Sequence, residues 1–361
     1  MSKKITVIIV AVLMFGLSAF CVLKPADEYS ESERRKLASF PEFTVSSFEN
    51  GSFAKNFETA ALDQFPLRDK FRTAKALAQY KLFRFADNNG IYVADGFAVK
   101  QLYPLNEASV KNAAAKMTAI YEKYLNSANK VVVAVAPDKG YCLAEKSGHL
   151  TLDYNRLTEI LRQNAAIGNY VDLTDVLSAD CYYKTDTHWR QDKIAPAAEK
   201  IAAALGVELE NSYTAKTATN NFYGVYYGQS ALPLSAEQIN YVTSAAINSA
   251  EVYNAETNTT GGVYDFDKLS GKDPYEFFLS GSVSLLKITN PQQQNGKRLA
   301  VFRDSFGSSL VPYLIGGYSE ITVIDTRYIN PSLLSDYVDF DSCDVLFLYS
   351  TLLLNDSYTL K

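Results

Sequence analysis

The chain has 361 residues, of which 47% are hydrophobic and 21% are charged. These ordinary globular proportions argue against a wholly disordered chain, a collagen or a coiled coil. The net charge of −5 argues against a nucleic-acid-binding protein, which needs a basic surface to neutralise phosphates. The sequence contains two histidines, so any reaction that needs an imidazole must use His149 or His188.

The N-terminus carries an apolar run from Ile5 to Leu23, preceded by two lysines and followed by an acidic stretch. A run of about 19 residues can cross a bilayer as a helix, and the flanking charges place the N-terminus in the cytoplasm. We therefore predict that residues 1–24 anchor an extracytoplasmic protein in a membrane. A cleaved signal peptide, which would leave a secreted protein, and a lipid-modified Cys21 remain alternatives.

The rest of the chain predicts an α/β domain. Residues 25–50 are polar and predict a stalk, and residues 51–361 predict one folded domain with a β-rich insertion at about 211–298. In chain order, the pattern predicts an amphipathic helical segment over 51–85 that breaks at Pro66, a hairpin around 91–93, helices over 108–125, 156–166, 189–205 and 308–314, and strands over 131–136, 170–173, 299–302, 321–324 and 345–349. This alternation predicts a three-layer sandwich with a mostly parallel sheet. Its site should lie at the carboxyl ends of the strands.

Three cysteines, Cys142, Cys181 and Cys343, lie beyond the predicted anchor. They form no Cys-x-x-Cys motif, which argues against a structural zinc site. A Cys142–Cys181 disulfide and free thiols are both compatible with the sequence.

Asp186 and His188 stand two residues apart, just before the predicted helix over 189–205. Such a carboxylate can accept from one ring nitrogen and leave the other as a base. The positive end of the helix would keep that imidazole neutral. Two alternatives are an N-cap aspartate beside a surface histidine, and an Asp/His metal pair without an obvious third ligand.

A second candidate segment runs from an apolar strand through Asp304, Ser305 and Gly307 into an apolar helix. A serine on a tight strand-to-helix turn exposes its hydroxyl, and the helix N–H groups can stabilise an oxyanion. Ser308 and Ser309 fall inside the predicted helix, so Ser305 is the better candidate nucleophile. Its alternative role is an ordinary N-cap.

The segments Tyr183–Trp189 and Arg303–Phe306 resemble the two signature blocks of DHHW family proteins, which are related to bacterial alginate O-acetylation proteins with an SGNH hydrolase-like domain. Thr187 replaces the first histidine of the family name, and Arg303 replaces a glycine. Shorter blocks also agree with the family: Glu33–Pro41, Asp63–Asp69, Pro137-Asp138-Lys139 and Ile324–Tyr328.

The resemblance implies an SGNH hydrolase-like fold with permuted motif order, in which Ser305 is the nucleophile, His188 the general base and Asp186 its orienting carboxylate. It implies a serine O-acetyltransferase or acetylesterase that acts on O-acetyl groups of a cell-surface or secreted polysaccharide. No cofactor or metal is expected. A transferase outside the cytoplasm would need a membrane-bound partner that supplies the acyl group.

Further residues are candidates for substrate binding: Lys139, Tyr141, Tyr223 and Arg303. The alternative function is a non-catalytic polysaccharide-binding or assembly protein of the cell envelope. A third hypothesis, calcium-dependent adhesion, would use the acidic cluster Asp336, Asp339, Asp341 and Asp344. His149 is expected to be structural.

Overall fold

The computed structural model describes residues 3–210 and 212–361. The backbone packs into two compact units. Unit 1 holds the chain up to Ile91 together with Tyr227–Leu234, and unit 2 holds Tyr92–Tyr226 and Ser235–Lys361.

Unit 1 is built mainly from helices. Its elements are α1 (Lys3–Leu23), β1 (Tyr29–Ser30), β2 (Arg35–Lys36), α2 (Val45–Glu49), α3 (Ser52–Asp63) and α4 (Arg68–Leu77). The predicted apolar helix is confirmed as α1, which is long and apolar enough to cross a membrane; an N-terminal signal sequence has the same character. The predicted break at Pro66 is also confirmed, because it separates α3 from α4.

Ion pairs join the two short sequence blocks of unit 1. Arg35 donates to both carboxylate oxygens of Asp63, at 2.9 and 2.6 Å. Glu33 accepts from Arg68 and pairs with Arg72 at 3.0 Å. The segment around β2 is thereby tied to α3 and α4.

Unit 2 contains the remaining strands and helices, except that β3 and α9 have residues in both units. In chain order these elements are β3 (Ile91–Ala94), β4 (Phe97–Lys100), α5 (Glu107–Tyr124), β5 (Val131–Ala136), α6 (Gly140–Leu143), α7 (Tyr154–Asn164), β6 (Asn169–Val171), α8 (Ala195–Leu205), β7 (Thr214–Phe222), α9 (Val225–Ser230), β8 (Glu237–Thr243), α10 (Ala245–Ser249), β9 (Glu251–Asn254), β10 (Thr259–Gly261), β11 (Leu285–Thr289), β12 (Arg298–Arg303), α11 (Ser305–Leu314), β13 (Glu320–Ile324), β14 (Cys343–Ser350) and α12 (Thr351–Asn355).

The main sheet has the strand order β10-β9-β11-β13-β12-β14-β5-β6 within the described residues. The strands from β13 to β6 pair in parallel, and β10, β9 and β11 extend the sheet with antiparallel pairs. The predicted mostly parallel sheet is therefore confirmed. Part of the region expected as an insertion forms its antiparallel side, while β7 and β8 pair separately.

Helices cover both faces of the sheet, as predicted. Along β5, Val131 and Val133 point into a core with α5 and α7, whereas Val132 and Ala134 point into a core with α8 and α11. This alternation follows from the two-residue period of a strand. A strand that is buried on both faces must be apolar throughout, as the sequence of β5 is.

The helix predicted over 189–205 begins later than expected. Trp189 pairs with Tyr182 in an isolated antiparallel bridge, and α8 begins only at Ala195. Pro196 suits this first turn, where its missing N–H would have no helical partner.

Candidate active site

Three side chains singled out in the sequence lie together in unit 2. His188 Nδ1 is 2.6 Å from Asp186 Oδ1, and His188 Nε2 is 2.7 Å from Ser305 Oγ. The aspartate and histidine are buried, and Ser305 is half-buried. With the ring proton on Nδ1, Nε2 can accept the hydroxyl proton of Ser305. The arrangement can therefore pass a proton from serine to imidazole.

The surroundings of His188 differ from the sequence-based expectation in one respect. Because α8 begins at Ala195, His188 lies in a loop and not at the positive end of a helix. The predicted helix-dipole effect on the imidazole is therefore wrong. The electrostatic partner that the structure gives His188 is the carboxylate of Asp186.

The turn that carries Ser305 is formed by regular secondary structure. Ser305 is the first residue of α11 and follows the carboxyl end of β12. Asp304 is the N-cap: its Oδ1 accepts from Phe306 N at 3.0 Å, and its Oδ2 accepts from Ser350 N at 2.8 Å. Since Asp304 caps the helix, the N-cap interpretation of Ser305 is wrong, and the serine hydroxyl faces His188 instead.

The loop that carries His188 is closed at its base by backbone hydrogen bonds. Tyr183 N donates to His188 O at 3.1 Å, and Arg190 N donates to Cys181 O at 2.7 Å. Glu237, at the start of β8, caps the tip of the loop. Its carboxylate accepts from Lys184 N, Thr185 N and Thr185 Oγ1, each at 2.6 Å.

A glycine lets a neighbouring segment approach Asp186. Val225 N donates to Asp186 Oδ2 at 2.9 Å, and Gly224 N donates to Thr185 Oγ1 at 3.0 Å. A Cβ on Gly224 would lie 2.2 Å from the Cβ of Asp186. Glycine is thus required here, because any side chain would push Asp186 and this segment apart.

Residues after β5 tie the loop to the sheet. Asp138 accepts from Thr351 Oγ1 at 2.8 Å, and burial raises the pKa of its carboxyl. Lys139 is 1% exposed, and its ammonium donates to three carbonyl oxygens of the loop, those of Tyr183 (2.7 Å), Lys184 (3.2 Å) and Asp186 (2.7 Å). Three acceptors match the three N–H donors of a protonated lysine. Burial nevertheless lowers the pKa of Lys139 to about 7.

An aromatic ring packs on the imidazole. Tyr275 stacks on His188 with ring centroids 3.7 Å apart and planes inclined by 3°. The Tyr275 hydroxyl donates to Ser309 Oγ at 2.8 Å, and Trp189 Nε1 donates to the same oxygen at 2.9 Å. The stacked tyrosine, which Ser309 holds in place, restricts tilting of the His188 ring out of its plane.

Arg303 is fully buried beneath the serine turn. Its Nη2 donates to Gly281 O at 2.9 Å, and its Nη1 lies 3.6 Å from Asp325 Oδ2. Burial lowers the pKa of this guanidinium. A Cβ on Gly307 would lie 2.6 Å from the Cβ of Arg303, so this glycine allows α11 to pack against it. We propose that Arg303 and the equally buried Lys139 support the site from behind and do not touch the substrate.

The other two substrate-binding candidates, Tyr141 and Tyr223, are 40% and 39% exposed. Tyr141 lines a cavity of about 420 Å³ at the carboxyl ends of β5 and β6, together with Tyr154 and Thr351. The residues that line this cavity do not include Ser305. Substrate contact by either tyrosine stays a prediction.

The remaining candidates are the cysteines, His149 and the acidic cluster. The described cysteines are free thiols, and burial raises the pKa of Cys142 to about 11. His149 stacks on Tyr92 with ring centroids 3.7 Å apart. In the acidic cluster, Asp339 pairs with Arg298 at 2.7 Å. Residues 3–210 and 212–361 contain no group of three or more His, Cys, Asp or Glu side chains placed to hold a metal ion.

Comparison with known proteins identifies the domain. Residues 91–250 match the family model described as SGNH hydrolase-like domain, acetyltransferase AlgX. The fold is SGNH hydrolase-like. This confirms the resemblance predicted from the two signature segments. No curated protein sequence matches the chain.

Three solved structures are similar in fold to this chain. A DHHW family protein from Eubacterium siraeum is 22% identical with a TM-score of 0.62, and the match covers 74% of this chain and 93% of that one. Bacillus cereus PatB1 with a sulfonyl adduct is 18% identical with a TM-score of 0.58, covering 73% and 97%. PatB1 without the adduct is also 18% identical, with a TM-score of 0.57, covering 73% and 96%.

Sequence reasoning missed several residues that hold the site. Glu237 and Tyr275 lie in the region predicted as a β-rich insertion, where no periodic pattern indicates their contacts. Gly224 follows the candidate Tyr223 in the sequence, and a glycine in such a strand-like segment can signal the close approach of another backbone. Asp304 could have been recognised as an N-cap from its place before an apolar helix.

Proposed function

We propose that this protein is an extracytoplasmic serine O-acetyltransferase or acetylesterase that acts on a cell-surface or secreted polysaccharide. The observation that carries the proposal is the hydrogen-bonded series Asp186–His188–Ser305, with separations of 2.6 and 2.7 Å. The matched family is described as an acetyltransferase, which supports an acyl-transfer reaction. The polysaccharide substrate follows from the resemblance to alginate O-acetylation proteins.

In the proposed reaction, His188 Nε2 takes the proton of Ser305 Oγ as that oxygen attacks an acetyl carbonyl carbon. Collapse of the tetrahedral intermediate expels the donor alcohol, which receives the proton from His188, and leaves an acetyl ester on Ser305. His188 then takes a proton from a sugar hydroxyl or water as its oxygen attacks this ester. The bond to Ser305 Oγ breaks, Ser305 takes the proton back from His188, and an O-acetylated sugar or acetate is released. Asp186 stabilises the imidazolium formed in each step, and we propose that the Ser305 N–H at the start of α11 donates to the oxyanion.

We propose that α1 remains as a membrane anchor. The lysines before it and the acidic residues after it support an outside location for the rest of the chain. Acetyl-CoA is a cytoplasmic donor, so a transferase in this position needs a membrane-bound partner that delivers the acetyl group. An esterase needs only water.

The test compares Ser305→Ala with Ser308→Ala, a serine one turn further along the same helix whose buried Oγ has no hydrogen-bond partner in the described structure. We expect Ser305→Ala to lower p-nitrophenyl acetate turnover by about 10⁴-fold or more. It should also abolish labelling by a serine-directed phosphonate. Ser308→Ala should retain both activities.

Unchanged turnover in a folded Ser305→Ala protein would reject Ser305 as the nucleophile. Polysaccharide binding that survives His188→Ala, with no acetyl exchange by the unaltered protein, would favour the non-catalytic binding function. Acetyl transfer to an added polysaccharide, compared with release of free acetate, separates transferase from esterase.

A further inference from the structure

Unit 1 exposes a contiguous group of aromatic rings, which we call the phenylalanine patch: Phe40, Phe43, Phe48, Phe53 and Phe57. Neighbouring ring centroids within the patch lie 5.3 to 6.0 Å apart. Phe43 and Phe48 are 63% and 64% exposed, and Phe57 is 43% exposed. A clustered apolar surface of this kind marks an interaction site, whereas single exposed apolar residues do not.

The helix α3, which carries Phe53 and Phe57, contacts the end of the apolar helix α1. On α3, Phe53, Phe57 and Ala61 are spaced four residues apart and therefore share one face. At the end of this face, Ala61 O accepts from Cys21 Sγ in the last turn of α1, at 3.7 Å. Just beyond α1, Asp27 N donates to Gln64 Oε1 at 2.8 Å, which fixes the start of the stalk against the end of α3.

This contact places the patch near the membrane surface if α1 crosses the bilayer. Cys21 lies two residues before the end of α1, which is about 3 Å along a helix. Phe57 and Phe53 lie about 6 and 12 Å from Ala61 along α3. An amphipathic helix at a membrane buries its apolar face about 5–10 Å into the boundary between headgroups and acyl chains. The patch is thus within reach of that boundary.

The charges around the patch give no attraction to anionic lipid. On α3 the exposed Lys55 and Glu58 cancel, and the exposed Glu42 and Glu49 lie next to Phe43 and Phe48 in the chain. A net attraction to anionic headgroups is therefore not available, and the apolar rings supply the binding free energy. A zwitterionic bilayer surface meets this requirement.

We propose that the phenylalanine patch inserts into the outer surface of the membrane that α1 crosses and holds unit 1 against the lipid. This inference rests on the proposed anchoring of the chain by α1. It assigns unit 1 a function in membrane placement, separate from the chemistry of Ser305.

The test uses tryptophan as a depth probe in the full-length protein, reconstituted into phosphatidylcholine vesicles whose acyl chains are brominated near the headgroup. Phe48→Trp and Phe57→Trp report from the patch. Lys55→Trp is the matched control, because it lies on α3 two residues from Phe53 and Phe57 and hence on the opposite face. The natural Trp189 is buried and gives a constant background.

We expect bromolipid to quench the tryptophans at positions 48 and 57 strongly and the one at position 55 weakly, with aqueous acrylamide showing the reverse order. Equal quenching at the three positions would overturn the proposal. So would a tryptophan at 48 that acrylamide reaches and bromolipid does not. Protection from both quenchers would also overturn it, and would indicate contact between protein copies.

Failure of the proposed function can be distinguished from failure of this inference. The intact mass of the purified protein shows whether α1 is retained, and phosphonate labelling of Ser305 reports the catalytic proposal independently. If α1 proves to be removed, the anchoring on which the inference rests is absent and the inference is overturned, whereas phosphonate labelling still decides the catalytic proposal.

Discussion

Ser305 and His188 lie 2.7 Å apart, but the backbone beneath each of them is held in a different way. The serine turn joins the central parallel strand β12 to α11, and its cap comes from the adjacent residue Asp304. The histidine loop belongs to no helix or long strand. Side chains and backbone groups from distant parts of unit 2 hold it: Lys139, Glu237, Val225 and Tyr275. Local structure therefore positions the serine, whereas long-range contacts position the histidine.

The same substitution in the two segments should give the sharpest contrast. In Asp186→Asn, one oxygen becomes an NH₂ group and must face either Val225 N–H or His188. If the NH₂ group faces His188, the imidazole must carry its proton on Nε2 and cannot act as a base. We expect turnover of p-nitrophenyl acetate to fall by about 10³- to 10⁴-fold.

Asp304→Asn is the control on the serine side. Asparagine caps helices as well as aspartate does, so we expect a loss of about 1 kcal/mol in the free energy of unfolding from the altered contact with Ser350. Turnover should change by less than about tenfold. If Asp304→Asn lost as much activity as Asp186→Asn, the contrast between the two segments would be refuted.

Gly224→Ala tests whether long-range packing sets the position of the histidine loop. The added Cβ would lie 2.2 Å from Asp186 Cβ, so the loop or the segment before α9 must move. A displacement of about 1 Å at a reacting group lowers kcat by about 10²-fold. Gly262→Ala is the matched control, because a Cβ there has no atom within 4 Å. Steady-state kinetics of Gly224→Ala should show this lower kcat with an unaltered KM. A wild-type kcat would contradict this account.

Lys139→Met should lower kcat by only about tenfold, because the backbone hydrogen bonds at the base of the loop remain. It should also change how stability depends on pH. The pKa of Lys139 is about 7 in the folded protein, against about 10.4 in an unfolded chain. Between these values the unfolded chain binds more protons, so this lysine makes wild-type stability rise with pH.

Urea unfolding of both proteins at several pH values from about 6 to about 10 measures this contribution, because other titrating groups cancel in the difference. The wild-type free energy of unfolding minus that of Lys139→Met should increase with pH across the window. A flat difference would show that Lys139 keeps an ordinary pKa in the folded protein, and a difference that falls with pH would show that its pKa is raised.

The fold could be predicted largely from the sequence because periodicity reports burial. The apolar run of β5 indicated a strand with both faces covered, and the turn after β12 indicated Ser305. The start of α8 could not be placed in the same way. Its predicted beginning at Trp189 fitted a helical pattern, but Trp189 pairs with Tyr182 in a bridge and Pro196 lies in the first turn of a helix that begins at Ala195.

The supporting residues of the site were less accessible to prediction. Glu237 lies 52 residues from Thr185, and Val225 lies 39 residues from Asp186. Such contacts leave no periodic signal, because they depend on where the β7–β8 region folds back. Lys139 was expected near substrate from its place after β5, yet its buried ammonium faces the loop carbonyls.

The sequence by itself determined the apolar helix α1, the three-layer arrangement and the residue types of the proposed reaction, since each depends on local composition, periodicity or neighbouring residues. Only the tertiary structure decided which hydroxyl meets the imidazole, which groups hold the loop and which phenylalanines share a surface. These depend on distances between segments far apart in the chain, and such distances are set by packing of the whole unit.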